Sequence, residues 1–302
     1  MNVRIKLMIR DRRSIHLGKG QNMKNYTLGL YEKAMPETLS FKEKLKSARK
    51  AGFDFVELSI DETDAKLSRL DWTKDERLRL VKTMYGEGIH AGSMCLSGHR
   101  KYPLGSADED TCKRGMEIME KAIGLAEDLG IRIIQLAGYD VYYEESTPDT
   151  VKRFEENLEK AVHMASRAGV LLGFETMETE FMNTVEKAMR YVKKIDSSYL
   201  NVYPDCGNIK NAALTYGTDV YEDIRCGKGH TVAMHLKETL PGIFREVPYG
   251  TGHVDFQKMI DTAWETGVRR FVTEFWYKGS PAWEADLKSA QNRMARILDK
   301  ER

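Results

Sequence analysis

The sequence predicts an α/β fold, a single (β/α)8 TIM barrel, from three observations. Short apolar runs that suit buried strands alternate with helix-length segments, which is typical of a parallel sheet. Four of these runs end on polar side chains at intervals of 30, 30 and 39 residues, namely Glu175, Asp205, His235 and Glu274. A strand, a crossover helix and a strand need roughly 30 residues. The length of 302 residues also suits one barrel of about 250 residues.

Eight strand-and-helix units follow in order along the chain. The predicted strands span residues 26–31, 53–60, 89–96, 131–136, 171–177, 200–205, 231–235 and 271–274. The predicted helices span about 39–51, 71–86, 108–129, 148–168, 183–196, 219–227, 255–266 and 282–300. Gly52, Gly130 and Gly169 are expected to end helices, because glycine readily adopts the left-handed conformation there. No linker or change of composition indicates a second domain.

Residues 1–22 differ in charge from the remainder of the chain. They carry six basic residues and one acidic residue, a net charge of +5, which leaves about −4 for the rest of a chain with net charge +1. We expect residues 1–22 to be a basic extension outside the fold and residues 23–302 to form the barrel. A nucleic-acid or targeting arm is the alternative for 1–22. The overall charge gives no reason to expect nucleic-acid binding.

The remaining composition excludes two further classes of protein. There is no run of about 18 apolar residues, so no membrane span is predicted. The four cysteines, Cys95, Cys112, Cys206 and Cys226, lie far apart without a CxxC motif. A disulfide framework or structural zinc site is therefore not expected, and a cytoplasmic protein is the simpler interpretation.

The four polar side chains at the ends of strands five to eight form a candidate metal site. Glu175, Asp205, His235 and Glu274 should meet, because the carboxyl ends of barrel strands share one face. Three carboxylates and one imidazole suit a single divalent ion, and Mn²⁺, Mg²⁺, Co²⁺ and Zn²⁺ are all compatible. The alternative is a set of unrelated polar residues around the opening of the barrel.

The segments around these residues resemble a known family. Gly-Phe-Glu175-Thr-Met, Tyr-Pro-Asp205-Cys-Gly-Asn208, Met-His235-Leu-Lys-Glu-Thr and Thr-Glu274-Phe-Trp are similar to the ketose 3-epimerases of the xylose isomerase-like barrel superfamily. Further segments narrow the resemblance to the L-ribulose-5-phosphate 3-epimerases, also called L-xylulose-5-phosphate 3-epimerases. They are Leu-Gly-Leu-Tyr31-Glu32, Phe-Val-Glu57-Leu-Ser, Leu-Ser97-Gly-His99-Arg100 and Gln135-Leu-Ala-Gly138-Tyr139-Asp140. The similarity runs from about Leu28 to the C-terminal helix.

The resemblance implies epimerisation at C3 of a ketopentose 5-phosphate, with L-ribulose 5-phosphate and L-xylulose 5-phosphate as the preferred pair. The C3 proton lies beside a carbonyl, so it can be removed if a divalent ion stabilises the resulting enediolate as a Lewis acid. Glu175 and Glu274 would be both metal ligands and acid/bases on opposite faces of the carbon. Asp205 and His235 would mainly hold the metal. The second ring nitrogen of His235 should meet a fixed acceptor, which the sequence does not identify.

Five residues are candidates for substrate binding. Arg245 stands where the superfamily places an arginine that binds sugar hydroxyls, and a solvated loop charge is the alternative. Asn208 stands where the epimerases of non-phosphorylated ketoses have a substrate-binding histidine, and this departure favours the phosphopentose branch. His99, Arg100 and Lys237 are candidates for the phosphate, although a salt bridge or a dimer contact would also explain His99 and Arg100.

Other functions stay open. An aldose–ketose isomerase would move hydrogen between C1 and C2, and an epimerase of free ketoses would lack a phosphate site. A sugar-phosphate sensor would bind without turnover. An abasic-site endonuclease of the same fold needs more histidine ligands than the seven histidines of this chain supply at strand ends, and a net charge of about −4 over the barrel opposes DNA binding. We expect a small-molecule sugar phosphate as ligand and, by analogy with related barrels, a homodimer.

Overall fold

The computed structural model describes residues 24–300. The predicted extension 1–22 lies outside the described residues. The described strands are β1 Thr27–Tyr31, β2 Phe55–Ile60, β3 His90–Leu96, β4 Ile133–Ala137, β5 Leu171–Glu175, β6 Leu200–Val202, β7 Met234–Lys237 and β8 Arg270–Glu274. The described α-helices are α1 Phe41–Ala51, α2 Asp64–Leu67, α3 Lys74–Glu87, α4 Glu109–Leu129, α5 Pro148–Ala168, α6 Val185–Ile195, α7 Cys206–Tyr216, α8 Val220–Cys226, α9 Phe256–Glu265 and α10 Trp283–Leu298.

The eight strands form one parallel sheet in the order β6-β5-β4-β3-β2-β1-β8-β7. Two isolated parallel bridges, Val202 to Thr231 and Asp205 to His235, connect the two ends of this order. The backbone amide of Val202 donates to the carbonyl of His230 at 2.8 Å, which reinforces the same connection. The carboxyl ends of all eight strands therefore open on one side of the sheet, as parallel strands require.

Two apolar clusters of the described residues lie on opposite faces of the strands. The larger cluster packs the outer faces of the strands against the helices, for example Leu28, Leu58 and Leu172. A smaller cluster comprises Tyr31, Phe55, Cys95, Ile133, Tyr203, Ala233 and Val272. Because successive strand residues point to opposite faces, Glu57 shares the face of Phe55 in β2. The carboxylate of Glu57 therefore points to the side of the sheet on which the smaller cluster lies.

The helix ends agree with the sequence signals. Ser40 and Thr73 begin α1 and α3 with capping boxes in which each hydroxyl accepts from the amide three residues on. Gly52, Gly130 and Gly169 follow α1, α4 and α5 in the left-handed conformation, with φ of 98°, 75° and 66°. These three predicted helix ends are confirmed.

Two local differences from the prediction concern strands six and seven. Helix α7, Cys206–Tyr216, was not predicted, because Gly207, Asn208 and Asn211 interrupt its apolar periodicity. The side chain of Asp205 caps this helix by accepting from the amide of Asn208 at 2.7 Å. Asp205 therefore lies at a helix N-terminus, beyond the shorter strand β6. Strand β7 also begins three residues later than predicted, at Met234.

Within the part of the chain that is described, none of the helices is both long and apolar enough to cross a membrane. The longest, α4 and α5, have 21 residues each and carry charged side chains along their outer faces.

Gly29→Ala is expected to destabilise the fold by about 1–3 kcal/mol, as overpacking of a core does. A Cβ on Gly29 in β1 would lie 2.4 Å from the ring of Phe55, which is fully buried. Gly124→Ala is the matched control, since Gly124 lies inside α4 and a Cβ there has no neighbour within 4 Å. The control should gain roughly 0.5–1 kcal/mol. Urea unfolding of both variants measures the two free energies, and equal effects would contradict this packing.

Candidate active site and metal centre

The structure brings the four predicted ligands together. Each of Glu175, Asp205, His235 and Glu274 offers one ligand atom, and these atoms all lie within 4.8 Å of one another. Glu175 and Glu274 are the last residues of β5 and β8, and His235 lies in β7. All four side chains are buried. The convergence follows from the parallel arrangement, because the carboxyl ends of all the strands lie on one side, so that Glu175 and Glu274 meet although they are 99 positions apart in sequence.

The imidazole of His235 is held from both sides. Its Nδ1 lies 3.0 Å from Glu175 Oε1 and 2.9 Å from Glu274 Oε2. Its Nε2 lies 2.6 Å from Glu57 Oε1. Burial opposes a charge on the ring, but the surrounding carboxylates, Glu57 first, hold the pKa of His235 well above its usual value. Nδ1 is the nitrogen that faces the two candidate ligands Glu175 and Glu274, and Nε2 faces Glu57.

Asp205 is held by a buried cation and by a helix. Lys237 Nζ lies 2.9 Å from Asp205 Oδ2 and donates to Asn208 Oδ1 at 2.9 Å. Burial raises the pKa of Asp205 to about 7, although Lys237 opposes this shift. Asn208 also donates to the carbonyl of Thr176 at 2.8 Å. The predicted substrate-binding residues Lys237 and Asn208 therefore lie in the wall of the cluster, and both are buried.

The geometry is suited to a divalent cation. Asp205 Oδ2 and Glu274 Oε2 are buried and accept no hydrogen bond from the residues that the structure describes, although each lies within ion-pair distance of Lys237 or His235. Unpaired buried carboxylate oxygens are costly, and a coordinated metal ion would use their lone pairs. Oxygen ligands with one imidazole nitrogen are acceptable to Mg²⁺, Mn²⁺, Co²⁺ and Zn²⁺. The residues present fit such an ion.

Two carboxylates differ in how they are held. Glu175 Oε2 accepts from Gln135 Nε2 of β4, which fixes its position from the neighbouring strand. Within the described part of the chain, Glu274 has no corresponding side-chain amide partner. Burial opposes its charge, but the imidazole of His235 holds the pKa of Glu274 below its usual value. Glu175 and Glu274 thus approach the candidate metal site from β5 and β8, and their immediate surroundings differ.

Glu57 is a site residue that the sequence analysis did not assign. It lies in β2 and is fully buried. Its Oε2 accepts from Ser93 Oγ and from Tyr203 OH, each at 2.7 Å, while its Oε1 meets His235. The sequence does contain a signal for it: Glu57 is a lone carboxylate in a largely apolar strand, and it shares one face of that strand with Phe55 and Ser59.

Arg245 and Arg100 lie in loops beyond the strand ends. Arg245 is exposed and forms an ion pair of 2.7 Å with Glu178, which also accepts from Tyr142 OH at 3.1 Å. The guanidinium of Arg100 stacks on the ring of Tyr142 at 4.9 Å from its centroid, and its buried Nε has no hydrogen-bond partner within residues 24–300. Tyr142 therefore links the two arginines.

His99 is turned away from these groups. Its Nε2 lies 3.0 Å from the carbonyl oxygen of Gly115 in α4, and the side chain is buried. Burial lowers the pKa of His99 to about 4. This position gives His99 a packing role between the turn after β3 and α4, and its predicted contact with the substrate has no support in the geometry.

His99 should make folding less favourable at acid pH. The unfolded chain binds a proton near the usual pKa of 6.5, whereas the folded chain binds it only near about 4. As the pH falls through this window the free energy of unfolding drops, by about 3 kcal/mol at most. His99→Gln removes this loss. Urea unfolding at pH 7 and pH 4.5 tests it, and equal acid losses in wild type and variant would contradict the assignment.

Comparisons with known proteins agree with this architecture. The family model described as "Xylose isomerase-like TIM barrel" matches residues 45–297. The L-ribulose-5-phosphate 3-epimerase UlaE of Escherichia coli (strain SMS-3-5 / SECEC) is 44% identical over 270 residues, which cover 89% of this chain and 94% of that protein.

Solved structures share the fold at low sequence identity. The structure of an L-ribulose 3-epimerase has a TM-score of 0.72 at 20% identity and covers 91% of this chain and 95% of its own. The IOLI protein, solved with a zinc atom, has a TM-score of 0.74 at 17% identity, covering 91% and 99%. These likenesses confirm the predicted TIM-barrel fold. The chain is an enzyme of the isomerase class, an epimerase, and it belongs to the xylose isomerase-like TIM barrel family and to the family of the L-ribulose-5-phosphate 3-epimerases.

Proposed function

We propose that this epimerase interconverts L-ribulose 5-phosphate and L-xylulose 5-phosphate by metal-dependent exchange of the proton at C3. The observation that carries the proposal is the pairing of Glu175 and Glu274, which flank His235 Nδ1 at 3.0 and 2.9 Å in one buried cluster. The 44% identity to an enzyme named for this reaction supports the choice of substrate.

The two glutamates divide the proton transfers between them. Epimerisation removes a proton from one face of C3 and returns one to the other face, so an acid/base on each side serves better than one. Glu175 from β5 and Glu274 from β8 approach from different strands. One must start as a carboxylate and the other as a carboxylic acid, and their roles exchange with the direction of reaction. When bound, the divalent ion supplies Lewis-acid stabilisation of the charge that develops on the substrate oxygens.

Asp205 and His235 hold the ion together with the two glutamates. Lys237 is already bound to Asp205 and Asn208, so we assign it to fixing Asp205 and offsetting its charge. Four buried carboxylates, those of Glu57, Glu175, Asp205 and Glu274, need such cationic partners. Because Lys237 is occupied in this way, the substrate phosphate would be bound by cationic side chains farther from the metal site, in the opening of the barrel.

Arg100 is our candidate for the phosphate. Its guanidinium is stacked on Tyr142, its buried Nε has no partner among the described residues, and it is the last residue of the turn after β3. A planar guanidinium with free donors suits phosphate oxygens. Arg245 is bound to Glu178, and we keep it as the candidate for the sugar hydroxyls, with Glu178 as the partner that it would share.

Steady-state kinetics on L-ribulose 5-phosphate and free L-ribulose test the phosphate. A charge-assisted hydrogen bond contributes about 1.5–3 kcal/mol, so kcat/KM should favour the phosphate ester by roughly 10- to 100-fold. Arg100→Met should remove most of this preference. Lys101→Met is the matched control, because Lys101 is exposed beside Arg100 and lies over the ring of Tyr102. Equal kcat/KM for the two ketoses would favour an epimerase of free ketoses instead.

Three further expectations accompany the proposal. A cytoplasmic location and a homodimer are predictions from the sequence and from analogy, as is the absence of a nucleic-acid or membrane partner.

A sensor without turnover would bind L-ribulose 5-phosphate with no conversion by the wild-type chain. An aldose–ketose isomerase would exchange hydrogen at C1, which the isotope experiment at the end of the Discussion separates.

A further inference from the structure

The carboxylate of Glu57 lies directly behind the candidate metal ligands. It projects from β2, whereas the ligands come from β5, β7, β8 and the start of α7. It is fully buried and touches only one of the four ligands, His235, at 2.6 Å. Because an isolated buried carboxylate is costly, its environment must supply compensating donors.

Three donors fix this carboxylate. Ser93 Oγ and Tyr203 OH both donate to Oε2 at 2.7 Å, and His235 Nε2 meets Oε1. Ser93 lies in β3, and Tyr203 follows β6. All of these side chains are fully buried. Ser93 in β3 and Tyr203 after β6 therefore fix the position of Glu57 independently of its contact with His235.

A fixed acceptor at Nε2 determines which nitrogen of His235 can bind an ion. A carboxylate can only accept, so Nε2 must carry a proton. Nδ1 also faces carboxylates, those of the candidate ligands Glu175 and Glu274. An ion bound among these ligands would take the place of a proton on Nδ1, while Glu57 keeps the proton on Nε2. The ring of Tyr203 also packs on the imidazole with centroids 4.7 Å apart, which restricts its rotation.

We propose that Glu57, held by Ser93 and Tyr203, is the positioning residue that keeps His235 in the Nε2-protonated form with Nδ1 directed at the divalent ion. The inference rests on the metal site of the proposed function. Groups that orient a metal-bound histidine typically contribute 10- to 100-fold to metal affinity. Glu57 would therefore set the affinity for the ion without touching either the ion or the substrate.

Zn²⁺ affinity of the full-length metal-stripped chain tests this role, measured by competition with a chromophoric chelator. Glu57→Gln should weaken binding by about 10- to 100-fold, because an amide can also donate to Nε2 and so favour the wrong tautomer. Ser93→Ala and Tyr203→Phe should weaken binding in the same direction by smaller factors. Asp140→Asn is the matched control, since Asp140 is a buried carboxylate that accepts from Ser146 and Thr150 instead.

Nitrogen-15 NMR of the Zn²⁺-loaded wild type gives a second reading that does not depend on how the Glu57, Ser93 and Tyr203 variants fold. The His235 signal, identified by its absence from His235→Gln, should show a proton on Nε2 and none on Nδ1. A proton on Nδ1, or Zn²⁺ affinity in Glu57→Gln equal to that of Asp140→Asn, would overturn the inference. A wild-type chain that binds no Zn²⁺ would overturn the metal site itself, and the role of Glu57 with it.

Discussion

Replacing either Glu175 or Glu274 by glutamine should reduce epimerisation by at least the roughly 10²–10⁴-fold that general acid–base groups contribute. The amide keeps the size of the side chain but cannot take a proton from C3. Each glutamate serves one face, so neither can replace the other. Both also contact His235 Nδ1, so the bound metal must be measured in each variant and compared at equal loading.

The two variants should also differ in a specific way. Any residual exchange of the C3 proton should be confined to the epimer whose C3–H faces the remaining glutamate, so the variants should favour opposite epimers. NMR exchange started separately from each pentulose phosphate measures this. Glu238→Gln is a suitable control, because Glu238 is buried but accepts from the amides of Gly250 and Val254. Normal epimerisation by both active-site variants would exclude the paired-carboxylate mechanism.

Removing the metal should have a comparably large effect. Lewis-acid stabilisation contributes several kcal/mol to such reactions, and every 1.4 kcal/mol is a factor of ten. We therefore expect chelated protein to lose more than about 100-fold in activity and to recover it with Mn²⁺, Co²⁺, Mg²⁺ or Zn²⁺. The melting temperature should fall on chelation and rise with added ion, since an ion that binds the folded chain stabilises it.

Asp205→Ala separates the loss of metal from a direct effect of the chelator. The variant removes a ligand that takes no part in proton transfer, and it should need far more metal for the same activity. It also removes the cap of α7, so its stability must be measured alongside. Full activity in wild-type protein shown by elemental analysis to contain no metal would exclude a metal-dependent reaction.

The meeting of the four candidate ligands was predictable because the parallel repeat brings residues that are distant in sequence together at one opening. Each strand end can be placed within a few residues, and that precision suffices for Glu175, His235 and Glu274. Asp205 was placed correctly in the site for a partly incorrect reason. The prediction placed Asp205 at the end of a strand, whereas it caps helix α7. The sequence did not predict α7 because its asparagines and glycine interrupt the apolar periodicity of the helix.

The remaining contacts depend on side-chain directions that spacing does not determine. Lys237 and His99 both follow the pattern of a residue at a strand end, yet Lys237 turns to Asp205 and His99 turns to the carbonyl of Gly115. Glu57 is 178 residues from His235 in sequence. Their contact becomes visible only once the strand order, with its two ends connected by bridges, is known.

The most direct test is NMR of the wild-type, metal-loaded enzyme with L-ribulose 5-phosphate in D2O. We expect L-xylulose 5-phosphate to form with deuterium at C3 and with hydrogen retained at C1. Deuterium at C1 with an aldose phosphate as product, or conversion without any deuterium at C3, would contradict the proposed reaction.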